Sequence, residues 1–433
     1  MTSRFKWTVV GSSTFLVVLL LVGALNGRAV SAVSSDDVYG HLKVYSEVLQ
    51  RIKLEYVEEP DMKSVTVGAI NGLLESVDPF ASYLNPDQYR QYEKMSDQKQ
   101  ADVGLVLAKR FGYVAIVDAV PGSPAAKANL STGDLLDSIK GIATRDMPLA
   151  YAEQLLRGEP GSTIEITVLR AKNPEPVKLT LTRAAIQYPA VTAKLMPEGV
   201  GDVQVETLEG NAVAEVRTKV EGLKKEGAKY IVLDLRHCST GNQENGIALA
   251  NLFIDKGEIA ALQGQRVARK EFDAKAGDQV WSGPLVITTN RSTAGGAEVT
   301  AAALLDNKRA QVVGERTYGD AGVRRVVQMD DGAAVILSVA KYYSPSGKAI
   351  QDTGVVPTVQ VAEADTSPDY DDNGNPIPGS APKNVEDNIM KNAIQLVTGK
   401  TTVAQLNSGL PPVETGVHGE APILQKNNVS EPQ

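Results

Sequence analysis

Cysteine and histidine are scarce in this chain of 433 residues, and basic residues form no long run. The single cysteine, Cys238, excludes an intramolecular disulfide, so the fold depends on packing. The histidines, His41, His237 and His418, lack the close spacing of a zinc site, and we expect neither a metal nor a cofactor. The net charge of −8 without a basic patch argues against a nucleic-acid partner.

The N-terminus has the pattern of a targeting segment. Arg4 and Lys6 precede a mostly apolar run over residues 7–25, and Val30-Ser31-Ala32 offers small residues for cleavage. We interpret residues 1–32 as a signal peptide, with an uncleaved signal anchor as the alternative, because the run approaches spanning length. Either interpretation predicts a protein outside the cytoplasm, in the periplasm or cell envelope, secreted or held at the membrane by residues 7–25.

An apolar content of 42% predicts a substantial core, and the patterning is that of a multidomain α/β (more broadly α+β) protein. Residues 36–100 read as an N-terminal helical segment, because Leu42, Tyr45, Leu49 and Ile52 recur at helical spacing. Residues 101–185 alternate as short strands, with one helix from Pro148 to Arg157.

Residues 186–363 form a second patterned region with α/β character. The apolar run Tyr230–Arg236 is typical of a central buried strand, and Ala294–Leu305 is rich in helix-forming residues. Residues 364–433 are predicted to be a linker and a mostly disordered tail, with one short amphipathic helix at Asn388–Thr398.

Several short sequence motifs in these regions are characteristic of one protein family: Asp78–Leu84, Asp234–Arg236, Asn290–Glu298, Thr317–Gly319 and Gly354–Pro357. They closely resemble the C-terminal processing peptidases, also known as tail-specific proteases, over residues 36–363. Pro121–Ala125 and Gly133–Leu136 resemble the turns and helix of a PDZ domain. The resemblance implies an N-terminal helical segment, a PDZ domain at 101–185 and a tail-specific-protease-like α/β core at 186–363.

The family's catalytic positions hold unexpected residues in this chain. In the family motif the serine nucleophile stands three residues before a glutamate, which here is Glu298, so its position is Gly295. The lysine base, 25 residues after the nucleophile, corresponds to Asp320, and the glutamine that orients it, four residues further, corresponds to Arg324. Glycine cannot form an acyl-enzyme and arginine stays protonated. The resemblance thus implies the fold without catalysis, and we predict that Asp320 and Arg324 contact each other near Gly295.

The loop that supplies an oxyanion donor is also altered. The family has Asp-Leu-Arg-x-Asn-Pro-Gly-Gly, whereas this chain keeps Asp234, Leu235, Arg236 and Gly241 but carries Cys238, Ser239 and Thr240 between them. This change is independent of the catalytic positions and favours the same interpretation.

A rebuilt active site is the main alternative, giving an active serine-type endopeptidase with a displaced site. Ser292 and Thr293 lie close to Gly295, yet the nearest downstream lysine is Lys308, beyond the predicted helix. A thiol protease built on Cys238 would need His237, but adjacent residues of an extended stretch point to opposite sides. A further alternative is a purely structural envelope component whose peptide groove is unused.

Peptide binding is the function that these changes leave intact. In the PDZ resemblance, the carboxylate-binding loop and edge strand correspond to Asp102, Val103, Gly104, Leu105 and Val106. Asp102 replaces a glycine and would repel an incoming chain terminus if it faced the pocket. We predict a pseudoprotease that binds protein C-termini or unfolded segments as a regulator or scaffold, with an active relative as one partner.

Overall fold

The computed structural model describes residues 35–96, 101–145, 147–170, 173–366, 368–371, 376–383 and 385–409. The predicted signal segment, residues 1–32, and the polar end, residues 410–433, lie outside this part of the chain. Within the described part, no helix combines the length and apolar character needed to cross a membrane. The chain forms two units, Met1–Val67 and Gly68–Gln433, and is a mixture of helices and sheets, as predicted.

Helices account for the beginning of the described chain. Helix α1 covers Ser35–Glu55 and contains Leu42 and Ile52, so the helix predicted from their spacing is confirmed. Helix α2 covers Met62–Val77 and crosses the boundary between the units in sequence.

The first sheet of the second unit is mostly parallel. Its strands are β8 (Thr192–Met196), β9 (Val200–Gln204), β10 (Tyr230–Asp234), β13 (Leu285–Thr289), β14 (Gln311–Gly314) and β17 (Val359–Gln360). The spatial order is β17-β14-β13-β10-β9-β8, with only β8 antiparallel to its neighbour. The connecting helices are α6 (Ala212–Lys225), α7 (Gln243–Asn251) and α8 (Gly296–Asp306).

Both faces of this sheet are covered, which explains its continuous apolar runs. Ile231 and Leu233 of β10 point into the main hydrophobic core, which includes residues of α6, α7 and α8. Val232, between them, points to the other face and packs with Val286 and Val313. The buried strand predicted at Tyr230–Arg236 is therefore confirmed as β10.

The helix that covers the second face lies within residues 364–433. Helix α9 (Asn388–Val397) confirms the predicted amphipathic helix, and Ile389 and Ala393 are buried against the sheet. Helix α10 (Val403–Gly409) follows it and was not predicted. The apolar residues of α9 complete the covering of the sheet. The predicted disorder falls mainly on residues 410–433, which lie outside the described residues.

A second, antiparallel sheet lies in the region with PDZ resemblance. It contains β2 (Leu105–Arg110), β3 (Tyr113–Ala119), β4 (Leu135–Ile139), β5 (Ile142–Ala143), β6 (Thr163–Arg170) and β7 (Asn173–Thr182). The order β2-β3-β4-β6-β7, with β5 beside β4, leaves β2 at an edge. Helix α4 (Pro124–Lys127) follows β3, and α5 (Leu149–Leu156) confirms the helix predicted at Pro148–Arg157.

A third sheet joins distant parts of the sequence. It consists of β1 (Ser82–Leu84), β11 (Glu258–Gln263), β12 (Lys270–Asp273), β15 (Gly322–Gln328) and β16 (Ala334–Tyr343), and α3 (Pro86–Ser96) follows β1. Its pairings are antiparallel. Strand β15 is important for the site because it carries Arg324.

The topology brings two loops to one edge of the parallel sheet. Strands β10 and β13 are parallel neighbours, with Asp234 opposite Thr288. The loop after β10, which contains Cys238, and the turn after β13, which contains Gly295, therefore leave the sheet side by side. In open α/β sheets, ligands bind beyond the carboxyl ends of the strands.

Candidate active site

Gly295 occupies a sharp turn between strand β13 and helix α8. Its backbone angles are φ 63° and ψ −123°, a conformation that residues with a side chain adopt only under strain. Space is nevertheless available, because a Cβ built there would lie 3.8 Å from the carbonyl oxygens of Asp320 and Gly241. A strained strand-to-helix turn of this kind is how α/β hydrolases expose a nucleophile. Here the turn is present, and the residue at its apex is Gly295, which has no side chain.

Glu298 connects this turn to the loop that ends at Asp320. Its carboxylate is fully buried and accepts hydrogen bonds from the backbone N–H groups of Gly295 (3.0 Å), Gly319 (2.7 Å) and Asp320 (2.7 Å). The Thr317 hydroxyl donates a further short hydrogen bond to it. Burial raises the pKa of Glu298 to about 7, and the donors of Thr317, Asp320 and Gly319 oppose that shift. In the sequence, Glu298 is recognisable only as part of a motif. The hydrogen bonds of Glu298 show that this residue holds the two loops together.

The predicted contact between Asp320 and Arg324 is confirmed. An Arg324 amino group donates to Asp320 Oδ1, and the guanidinium also lies over the Phe80 ring, 4.1 Å from its centroid. Phe80 in turn packs edge-on against Tyr318. Burial raises the pKa of Asp320, whereas the charge of Arg324 and its hydrogen bond lower it. The two residues at the positions of the family's base and orienting glutamine thus form an ion pair with each other.

The loop after β10 is fixed by its own contacts. The carbonyl of Cys238 accepts a hydrogen bond from Ala294 N at 3.0 Å, which ties the loop to the Gly295 turn. The Thr240 hydroxyl bonds to the Thr207 hydroxyl at 2.7 Å. Gly241 has φ 102°, and a Cβ there would come within 2.5 Å of Leu208 Cβ, so this position requires glycine. Gly241, the residue that matches the family motif, is therefore fixed by its surroundings, while the three residues before it differ from that motif.

His237 and Ser239 link the same loop to strand β3. Both contact the buried carboxylate of Asp118: His237 Nδ1 lies 3.4 Å from Oδ1, and Ser239 Oγ donates to Oδ2 at 2.9 Å. On its other side, His237 Nε2 lies 3.0 Å from the Asn290 amide nitrogen and 3.5 Å from a Glu363 oxygen. Asp118 and His237 are 119 positions apart, and nothing in the local sequence pattern signals this pairing.

Comparison with known proteins agrees with this geometry. Residues 199–361 match the model of Peptidase family S41, and residues 116–170 match that of a PDZ domain. The chain is 31% identical to the carboxyl-terminal-processing protease of Picosynechococcus sp., over 76% of this chain and 80% of that protein. The chain belongs to the C-terminal processing protease family.

Other relatives extend the same likeness. The C-terminal processing protease CtpA of Bacillus subtilis is 29% identical, over 78% of this chain and 72% of its own length. A solved structure of a photosystem II D1 C-terminal processing protease is similar at a TM-score of 0.60 and 29% identity, covering 73% of this chain and 86% of that one.

In this member of the C-terminal processing protease family, the side chains considered as alternative nucleophiles contact other groups. The Ser292 hydroxyl forms a short contact with Thr132, and the Thr293 hydroxyl donates to the carbonyl of Leu235 at 2.9 Å. Cys238 is fully buried, burial raises the pKa of its thiol, and both ring nitrogens of His237 contact other residues. Neither a displaced serine nor a thiol site gains support from these contacts.

An acid just before strand β2 folds back onto its own loop. Asp102 Oδ1 accepts from Val103 N at 2.5 Å and Gly104 N at 3.2 Å, and Leu105 and Val106 then begin edge strand β2. Asp102 therefore does not point freely into the groove. It occupies two backbone donors of the loop that the PDZ resemblance assigns to ligand binding.

The protonation of His237 gives one prediction. Burial alone would lower its pKa, but the hydrogen bonds and charges of Asp118 and Glu363 outweigh burial and raise the pKa from 6.5 to about 10. The folded state therefore holds the proton more tightly than the unfolded state. The resulting stabilisation is fully present below pH 6.5 and is lost as the pH rises through about 10.

NMR titration of the imidazole signals measures this directly, because the chain contains only three histidines. The signal that disappears in His237→Gln should titrate with a midpoint near 10. The same variant should unfold with less pH dependence than the parent between neutral pH and pH 10. A midpoint for His237 close to 6.5 would show that the contacts with Asp118 and Glu363 are not ionic.

Proposed function

We propose that this protein is a catalytically inactive member of the C-terminal processing protease family. The observation that carries the proposal is Gly295 at the turn where the family places its nucleophile. Without a hydroxyl, no acyl-enzyme forms, and neither Asp320 nor Arg324 replaces the lysine base. The altered loop at Cys238, Ser239 and Thr240 supports the same conclusion independently, because it changes the surroundings of the oxyanion donor.

The activity that we propose instead is the binding of polypeptide. PDZ domains add an extended peptide to the edge of their sheet, and here β2 is that edge strand. The names of the relatives from Picosynechococcus sp. and Bacillus subtilis refer to processing of carboxyl termini. The protein would hold protein C-termini or unfolded segments, as a regulator or scaffold, and an active relative is the partner that such a role calls for.

The place of action in this proposal is outside the cytoplasm. Its support is the N-terminal sequence, in which Arg4 and Lys6 precede the apolar run of residues 7–25. Expression of the full chain with fractionation of the cell envelope tests this part, and sequencing of the mature N-terminus separates a cleaved peptide from an anchor. Recovery of the intact chain from the cytoplasm alone would contradict it.

We expect no hydrolysis of casein and no labelling by fluorophosphonate probes, because these probes need an activated serine. Bacillus subtilis CtpA, assayed in parallel, is the positive control. Turnover that survives purification and disappears in Ser292→Ala would contradict the proposal in favour of a displaced nucleophile. Turnover that Ser292→Ala leaves unchanged calls for the same test with Thr293→Val, and its loss there would have the same meaning.

A further inference from the structure

The geometry points to a peptide groove that accepts internal extended segments of unfolded polypeptide and does not select free C-termini. This inference rests on the proposed function and narrows it, because it names the class of ligand that the same groove takes. It depends on Asp102, which stands where the family's loop has glycine, and on the free edge of β2.

Two backbone donors of the loop, the N–H groups of Val103 and Gly104, are already bonded to a carboxylate of the same chain. Asp102 Oδ1 lies 2.5 Å from Val103 N and 3.2 Å from Gly104 N. PDZ domains use N–H groups of this loop to hold the terminal carboxylate of a ligand. The side chain of Asp102 thus takes the role that the ligand's terminus has elsewhere.

The main chain and one cation keep Asp102 in this position. Its backbone N–H and C=O both pair with Ala184, at 3.0 and 2.9 Å, which anchors the residue at the start of the loop. Arg157, just after helix α5, lies with its Nε 3.5 Å from Asp102 Oδ2. The carboxylate is therefore held from the backbone side and from the helix side of the groove.

The charges around the loop are unfavourable for a second carboxylate. Arg157 already pairs with Asp102, and Glu153, one turn earlier on α5, competes for the same cation; burial raises the pKa of Glu153 while Arg157 lowers it. Arg183 also lies in the field of Asp102, but its guanidinium donates to the carbonyls of Leu155 and Leu156. A ligand terminus would meet the like charge of Asp102 and Glu153, while Arg157 and Arg183, the two described cations beside Asp102, already have partners.

The strand edge beside the loop has no such obstacle. In the part of the chain that the structure describes, β2 pairs with β3 along one edge, and no strand pairs with its other edge. Leu105 and Val106 of β2 and Leu155 of α5 pack, partly buried, on the same hydrophobic cluster. An extended segment can therefore add its main chain to β2 and its apolar side chains to this surface without ending there.

The test uses the full chain and one apolar peptide sequence, labelled with fluorescein, in three forms: with a free C-terminus, with an amidated C-terminus, and embedded within a longer peptide. For the parent protein, we expect dissociation constants for the three forms within about two-fold of each other, because no terminus is read. For Asp102→Gly, which frees the donors, we expect the free terminus to bind about ten-fold tighter than the amide.

Asp102→Asn is the matched control, because it removes the charge and keeps an oxygen that can accept from the same N–H groups. We expect it to prefer the free terminus by no more than about three-fold. A ten-fold preference in Asp102→Asn would overturn the argument from occupied donors.

The outcomes separate this inference from the function on which it rests. A parent protein that prefers the free terminus about ten-fold retains the binding function and overturns the inference. Absence of binding for every peptide form, in both the parent protein and Asp102→Gly, overturns peptide binding itself and the inference with it.

Discussion

The triple variant Gly295→Ser, Asp320→Lys, Arg324→Gln is expected to fold and to show little peptidase activity. The new serine would have room, since the nearest atoms to its Cβ lie at 3.8 Å, but φ 63° should cost about 1–3 kcal/mol in strain. The bonds of Glu298 to Gly295 and Asp320 would survive, because their donors are backbone N–H groups.

Activity should appear when the neighbouring loop is changed as well. Adding Cys238→Asn, Ser239→Pro and Thr240→Gly to the triple variant restores the family's loop, and loss of one oxyanion donor typically costs about 10²–10³ in rate. We therefore expect the variant with all six substitutions to hydrolyse casein about 10²–10³ times faster than the triple variant.

A triple variant with Gly295→Ala in place of Gly295→Ser is the matched control. It carries the same backbone strain and no hydroxyl, so it defines the background of contaminating proteases. Circular dichroism and urea unfolding verify that each variant is folded. A triple variant that cleaves as fast as Bacillus subtilis CtpA would mean that inactivation was confined to the three catalytic positions.

Replacing Glu298 should have the largest effect on stability. Glu298→Ala leaves buried N–H groups of Gly295, Gly319 and Asp320 and the Thr317 hydroxyl without their acceptor. Each unsatisfied buried donor costs about 1–3 kcal/mol, and partial relaxation reduces the sum. We expect the free energy of unfolding to fall by about 4 kcal/mol or more.

Urea denaturation measures this loss, with Glu221→Ala as the control on the exposed side of α6. The control should change the unfolding free energy by no more than about 0.5 kcal/mol. If Glu298→Ala unfolds at the same urea concentration and with the same slope as the parent protein, the two loops do not depend on this carboxylate.

Elements with a strong local signal were predictable from the sequence. The apolar run at β10 and the alanine-rich α8 were recognisable because burial on both faces and helix propensity act over a few consecutive residues. Strand β15 was missed, since adjacent arginines interrupt its apolar pattern and its stability comes from pairing along β16. Helix α10 was missed because its location beside a polar segment suggested a tail.

The contacts of the candidate site also fall into those that the sequence predicts and those that it does not. The positions of Gly295, Asp320 and Arg324 followed from motif spacing, and their contact could be anticipated because two paired residues had changed together. The bonds of Asp118 to His237 and Ser239 could not, because they join the PDZ domain to the loop after β10 through the tertiary fold alone. Likewise, only coordinates show that the carboxylate of Asp102 turns back onto its own loop.

Asp118 also neighbours strand β2, and this position links peptide binding to proton binding. In the sheet it lies directly opposite Val106 of β2, so the edge that would receive a peptide is one strand away from the acid that holds the proton of His237. Linkage makes such effects reciprocal. A peptide that draws Asp118 away from the imidazole lowers the pKa of His237 and releases its proton. The peptide then binds more tightly in alkaline solution, by the same factor by which the peptide weakens proton binding to His237.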